Sequence, residues 1–170
     1  YDEPQNIAIN GREIAMLPWI NRSNKDISAK FLASTKAKII LGHLELNGFY
    51  MNAGIKCSEG MEVSDFQKFD KVLSGHFHKR HSKQDVFYLG TPYQINFGDL
   101  DETKGFHILN TNTLDLTFIE NTNLMFYKLF YNDVENEYDF SQDDFSMYKD
   151  CYVKIVVLEK TSPKTFDDLM

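Results

Sequence analysis

Lys38-Ile39-Ile40-Leu41-Gly42-His43 and, further along, Lys71-Val72-Leu73-Ser74-Gly75-His76 decide how this chain folds. Each stretch is a lysine, a short and mostly apolar run, and then Gly-His. Such a run, bounded by turn residues, reads as a buried strand. Glycine at its end lets the backbone turn tightly or approach a neighbour closely. The histidine that follows presents an imidazole, a common metal ligand when neutral. The second stretch continues as Gly75-His76-Phe77-His78. Two strand ends of this kind predict a site at the edge of a sheet.

Ahead of the first stretch, Ile7-Ala8-Ile9, Asn10-Gly11 and residues 13–19 read as a hairpin around a turn dipeptide, with Pro18 ending its second strand. Residues 26–37 read as a helix, with Ile27, Phe31 and Leu32 on one face and Asp26 or Ser28 near the cap. Residues 47–62 read as a glycine-rich loop, and residues 64–69 as a short helix capped by Ser64. Beyond His78 the character changes. Residues 86–89, 94–97, 105–110 and 114–119 read as successive strands of an antiparallel meander, punctuated by Gly90-Thr91-Pro92, Gly98-Asp99 and Asn110-Thr111-Asn112. Residues 124–131 and 151–159 read as two further strands. A βαβ-like front and an all-β middle predict two packed sheets flanked by helices. A boundary is expected at residues 121–123, giving domains 1–122 and 123–170.

The chain has 170 residues, 42% hydrophobic and 25% charged, enough for a core of its own. No apolar run approaches the length of a membrane span, so no membrane association is expected. The polar, acidic start Tyr1-Asp2-Glu3-Pro4 is no signal peptide, and the absence of Met at residue 1 suggests a fragment or a processed chain. Cys57 and Cys151 form neither a disulfide framework nor a metal pair, which suits a reducing, cytoplasmic setting. The net charge of −7 argues at first against nucleic acid. Most of it sits between Asp133 and Asp150, where seven acids face one base, Lys149. The rest is close to neutral, with a basic cluster at Lys79, Arg80 and Lys83. A neutral body still binds DNA where its positive charge is local or borne by a metal.

The chemistry therefore centres on His43, His76 and His78. Alternating residues of an extended segment point to different sides, so His76 and His78 can serve adjacent metals or flank one. Two metals about 4 Å apart clamp the attacking and leaving oxygens of a phosphodiester. His81, in the basic loop, and His107, within a strand, are read as structural. Lys79 and Arg80 form a solvated turn or meet phosphate.

Four passages resemble the calcineurin-like metallophosphoesterases. These are the Gly-His loop at residues 42–48, Gly75-His76-Phe77-His78, Tyr88-Leu89-Gly90-Thr91-Pro92-Tyr93-Gln94, and the acidic loop and Lys-Gly-Phe strand at residues 97–106. More narrowly, they resemble the nuclease subunit of the double-strand-break repair complex, the SbcD type, and the recombination endonuclease subunits of T-even-like phages. The resemblance runs over residues 7–120. It implies an α+β fold, the C-terminal portion of a four-layer α/β/β/α sandwich, with residues 123–170 beginning a DNA-binding cap. It implies two divalent ions of Mn²⁺ type, with His43 and His76 holding one and His78 the other. Activated water would attack DNA phosphodiesters in recombination and repair, as an exonuclease or endonuclease, with Lys79 and Arg80 on the DNA backbone. It further implies a homodimer and a coiled-coil ATPase partner of the ABC type, in the cytoplasm (that of the host for a phage-encoded chain).

The family's first half supplies an Asp-x-His strand end, a Gly-Asp-x-x-Asp loop and an Asn-His pair. None occurs here; Gly98-Asp99-Leu100-Asp101 has the wrong spacing. The chain is thus expected to be the C-terminal part of such a nuclease, inactive or nearly so alone. Two other readings are a calcineurin-like phosphatase acting on proteins or small phosphoesters, and a non-catalytic interaction module with structural histidines.

Overall fold

The computed structural model describes residues 2–52, 54–136 and 144–170; residues 137–143 of the acidic stretch lie outside these. The chain is mixed α+β and divides into two compact units, Tyr1–Pro92 with Glu102–Thr122, and Tyr93–Asp101 with Asn123–Met170. No helix among the described residues is long and apolar enough to cross a membrane.

The first unit is built on a six-stranded sheet. Its strands are β1 (Gln5–Ile9), β2 (Arg12–Leu17), β3 (Ile39–Gly42), β6 (Lys71–Ser74), β7 (His81–Lys83) and β8 (Val86–Tyr88). Across the sheet their order is β1-β2-β3-β6-β8-β7. β1 and β2 form the expected hairpin: Ile9 pairs with Arg12, and Asn10 and Gly11 take φ values of 50° and 75°. Both central residues at positive φ make a turn whose twist matches the strands it joins. β2, β3, β6 and β8 run parallel, while β1 and β7 run antiparallel to their neighbours.

Successive residues Ile14 and Ala15, Ile39 and Ile40, and Val72 and Leu73 are all buried, so both faces of the central strands are covered. This is why β3 and β6 read as continuous apolar runs rather than alternating ones. The larger core lies on one face, where Ile40, Val72 and Tyr88 meet Leu44, Leu46, Phe49, Phe66 and Phe69, with Phe31 and Leu32 packed against them.

Helix α1 spans Lys25–Ser34, shorter than the expected 26–37, because Thr35 turns extended with ψ 139°. Lys68 Nζ donates to the carbonyls of Leu32 and Thr35 at this end. The buried face is Ser28 with Phe31 and Leu32; Ile27, expected there, is exposed. Nor do Asp26 or Ser28 cap the helix: Asn24 stands at the N-cap, and its side chain is engaged with Asn21 N and Trp19 O instead. Residues 47–62 contain a small hairpin, β4 (Tyr50–Asn52) with β5 (Ile55–Lys56), and Val63–Phe66 is a 3₁₀ turn that starts after Glu62 rather than at a Ser64 cap.

The expected meander is not formed. β8 joins the main sheet parallel to β6, and of the four strands expected in the meander just β9 (Gly105–Leu109) and β10 (Leu116–Glu120) pair antiparallel with each other. Residues 94–97 are not a strand, because side chains there outcompete a ladder for the backbone. Asn96 Oδ1 accepts from Gly98 N at 2.8 Å, and Asp99 accepts from Ile95 N at 2.8 Å, which makes Phe97–Asp99 a capped 3₁₀ turn.

That turn belongs to the second unit. There, buried Gln94 accepts from Met125 N and Phe126 N, both at 3.0 Å, at the start of β11 (Phe126–Asn132). β11 pairs in parallel with β12 (Tyr152–Glu159), and among the described residues neither has a further strand neighbour. The unit also contains α2 (Pro163–Leu169), capped by Ser162.

Candidate metal centre

The parallel strands end in register: Leu17 pairs with Gly42, Gly42 with Ser74, and Ser74 with Tyr88. The carboxyl edge of such a sheet is where open α/β folds place ligands. His43 and His76 leave this edge on adjacent strands. Their rings lie edge to face, with centroids 4.7 Å apart and planes at 77°. His76 Nδ1 is buried and has no hydrogen-bond partner. A buried ring nitrogen without a partner is costly unless something else engages it. His43 keeps an exposed edge, yet partial burial first, and the charge of His76 second, hold its pKa below the ordinary histidine value. Its ring is therefore neutral near pH 7, the form that ligates metals.

Two buried hydroxyls fix these turns. Ser74 Oγ accepts from Leu44 N at 3.0 Å and from His76 N at 3.4 Å, and donates to Leu44 O at 3.0 Å. One side chain thus grips the backbone beside both histidines. Tyr88 Oη adds a second grip, donating to Leu44 O at 2.9 Å and accepting from Leu46 N at 3.0 Å. Burial pushes the Tyr88 phenol far above its ordinary pKa, so it stays a donor. Sequence reading missed both residues. Their signal was a polar atom at the end of each apolar run, at Ser74 after Leu73 and at Tyr88 after Phe87, and Tyr88 also opens the Tyr88-to-Gln94 passage.

His78 is half-buried. Its carbonyl accepts from Thr91 N at 3.2 Å and from Lys104 Nζ at 3.1 Å, which ties this loop to the Gly-Thr-Pro turn and the Lys-Gly-Phe strand. Among the described residues no group of three or more His, Cys, Asp or Glu is assembled that could hold a metal. The structure therefore brings His43 and His76 together and leaves His78 out of that pair. Lys79 faces Glu102 at 3.7 Å, and the Arg80 guanidinium lies 4.1 Å from the centre of the Phe118 ring.

His81 stacks on Tyr88, with centroids 5.1 Å apart and planes at 8°. Its Nε2 accepts from Tyr50 N at 3.1 Å, so Nδ1 carries the proton given to Lys79 O. His107 lies in β9 against Phe118, with its pKa lowered by burial and by Arg80.

Beside the imidazole pair, Trp19 stands 6.1 Å from His43 between ring centroids. It flanks a cavity of about 380 Å³.

By sequence, the chain is related to nuclease subunits of the SbcD and phage-exonuclease type. Two relatives carry this. Over 121 residues, 71% of this chain, it is 35% identical to exonuclease subunit 1 of Enterobacteria phage T4, of which it covers 35%. Over 96 residues, 51% of the chain, it is 29% identical to the SbcD-type subunit of the SbcCD nuclease of Staphylococcus epidermidis, of which it covers 26%. The chain thus spans about a third or less of the length of these curated relatives. No family model matches it.

Proposed function

We propose that this chain carries part of the active site of a metal-dependent DNA nuclease, within a four-layer metallophosphoesterase sandwich. The observation that supports this best is the His43–His76 pair at adjacent parallel strand ends, with the His76 Nδ1 buried and unpartnered. That donor set fits a divalent cation of Mn²⁺ type as two ligands of a larger set. His43 and His76 hold one ion, and His78 is placed on its neighbour. The ions supply Lewis acidity and an activated water when bound. Ser74 and Tyr88 hold the imidazole-bearing turns in place. Lys79 and Arg80 reach the DNA backbone by exchanging Glu102 and Phe118 for phosphate. Residues 1–122 belong to the nuclease domain and residues 123–170 begin a DNA-contacting cap. The partners are DNA, a second copy of the same chain and a coiled-coil ATPase of the ABC type.

The sequence offers no carboxylate in the spacing that would bridge two ions, so the isolated chain is expected to degrade DNA ends at background rate with Mn²⁺. Robust exonuclease activity from it would sink the incomplete-set reading. Metal content after dialysis should fall from wild type to His76→Ala and His43→Ala. Unchanged content would favour the second reading, a non-catalytic interaction module, which the internal engagement of Lys79 and Arg80 supports. Double-stranded DNA ends tested against a chromogenic monoester, on the intact protein, separate nuclease from phosphatase.

A further inference from the structure

Trp19 is the only tryptophan of the chain and is 61% exposed. It follows β2, and its carbonyl accepts from the Asn24 side chain at 3.0 Å, which anchors it ahead of α1. Its ring meets His43 at 61°. The cavity beside it is lined by apolar side chains, among them Met16, Leu41, Leu73 and Leu89. Small-ligand sites have this character: mostly apolar walls with a few placed polar groups. Here the polar group at the rim is His43. An exposed indole is a stacking platform, and every nucleobase has a face to stack on it.

We propose that Trp19 and this cavity seat the nucleoside attached to the phosphate that the His43–His76 pair faces. This rests on the nuclease reading. It deepens it by assigning a base-binding subsite to a residue outside the Gly-His motifs. A phosphate at the imidazoles leaves its base one sugar away, and the indole is the aromatic ring beside His43 that is open to receive it. Stacking recognises the flat face of a base, so the site takes all four bases with modest preference.

The lone indole is its own reporter. The 170-residue chain is titrated with deoxyadenosine, its 5′-monophosphate and deoxyribose 5-phosphate, each with and without Mn²⁺. Saturable quenching by the two base-carrying compounds, and none by the sugar phosphate, is expected. In equilibrium dialysis, Trp19→Ala should weaken monophosphate binding about fivefold or more, while Trp19→Phe keeps most of it. Quenching by deoxyadenosine without Mn²⁺ supports the subsite even if the metal site fails. Mn²⁺-dependent binding of sugar phosphate and nucleotide with equal affinity, unchanged in Trp19→Ala, would leave the metal site standing and overturn the subsite. Absence of quenching by every probe overturns it too.

Discussion

The two Gly-His turns are alike in sequence and differ in what holds them. At Gly42 an added Cβ would lie 2.8 Å from Leu44 Cδ2 and 2.9 Å from the Leu17 carbonyl oxygen. Leu44 is a buried core residue and Leu17 contributes backbone, so neither gives way easily. At Gly75 a Cβ would meet nothing within 4 Å. The first turn is shaped by steric crowding between β2 and the loop after β3. The second is open to solvent and lacks that crowding, so the Ser74 hydroxyl, which grips Leu44 in the first turn as well, holds it at His76 N without steric help. One motif therefore hides two mechanisms of placing an imidazole.

Replacing the shared grip tests this most severely. Ser74→Ala leaves the buried Leu44 N–H without its partner and loosens His76 N, so it should cost about 2–3 kcal/mol in urea unfolding. Tyr88→Phe leaves the buried Leu46 N–H without its partner and should cost somewhat less, about 1–2 kcal/mol, because it does not also release His76 N. The two together should cost more than their sum, since the Leu44 carbonyl then loses both donors. Additive values would mean that the two grips act independently.

Next in size is the contrast between the glycines. Gly42→Ala overpacks a filled site and should destabilise by about 1–3 kcal/mol. Gly75→Ala should fall within about 0.5 kcal/mol of wild type, as for exposed positions. Equal losses would erase the distinction between the turns.

The smallest effect concerns pH, measured with chelator present. His43 is neutral in both states above its ordinary value of 6.5. As pH falls through that value the unfolded chain takes up the proton first, so stability drops until the lower folded value is passed. His43→Gln should flatten this drop. The change should be slight, because solvent screens a ring with an exposed edge.

Much of the sheet was legible in the sequence. Asn10-Gly11 announced its turn, and the runs before Gly42 and Gly75 announced buried strands, because hydrophobicity and turn chemistry agree there. Legibility failed where side chains bind backbone. Asn96 and Asp99 turned an expected strand into a capped turn, and Thr35 stopped α1 early. Asn24 displaced the expected cap. In the site, the histidines stood out by residue type. Ser74, Tyr88 and Trp19 did not, because their roles depend on strand register and on which loop lies against them.

The parallel pair β11–β12 bears on how the chain behaves in quantity. β12 runs eight residues as Tyr-Val-Lys-Ile-Val-Val-Leu-Glu, and Tyr152, Val157 and Leu158 are exposed along it. Among the described residues β12 has β11 as its one strand partner; an apolar rim of this kind recruits strands from other chains, and Lys154 is the one positive charge within it. Concentrated solutions should therefore clump through this rim before the imidazole edge is affected.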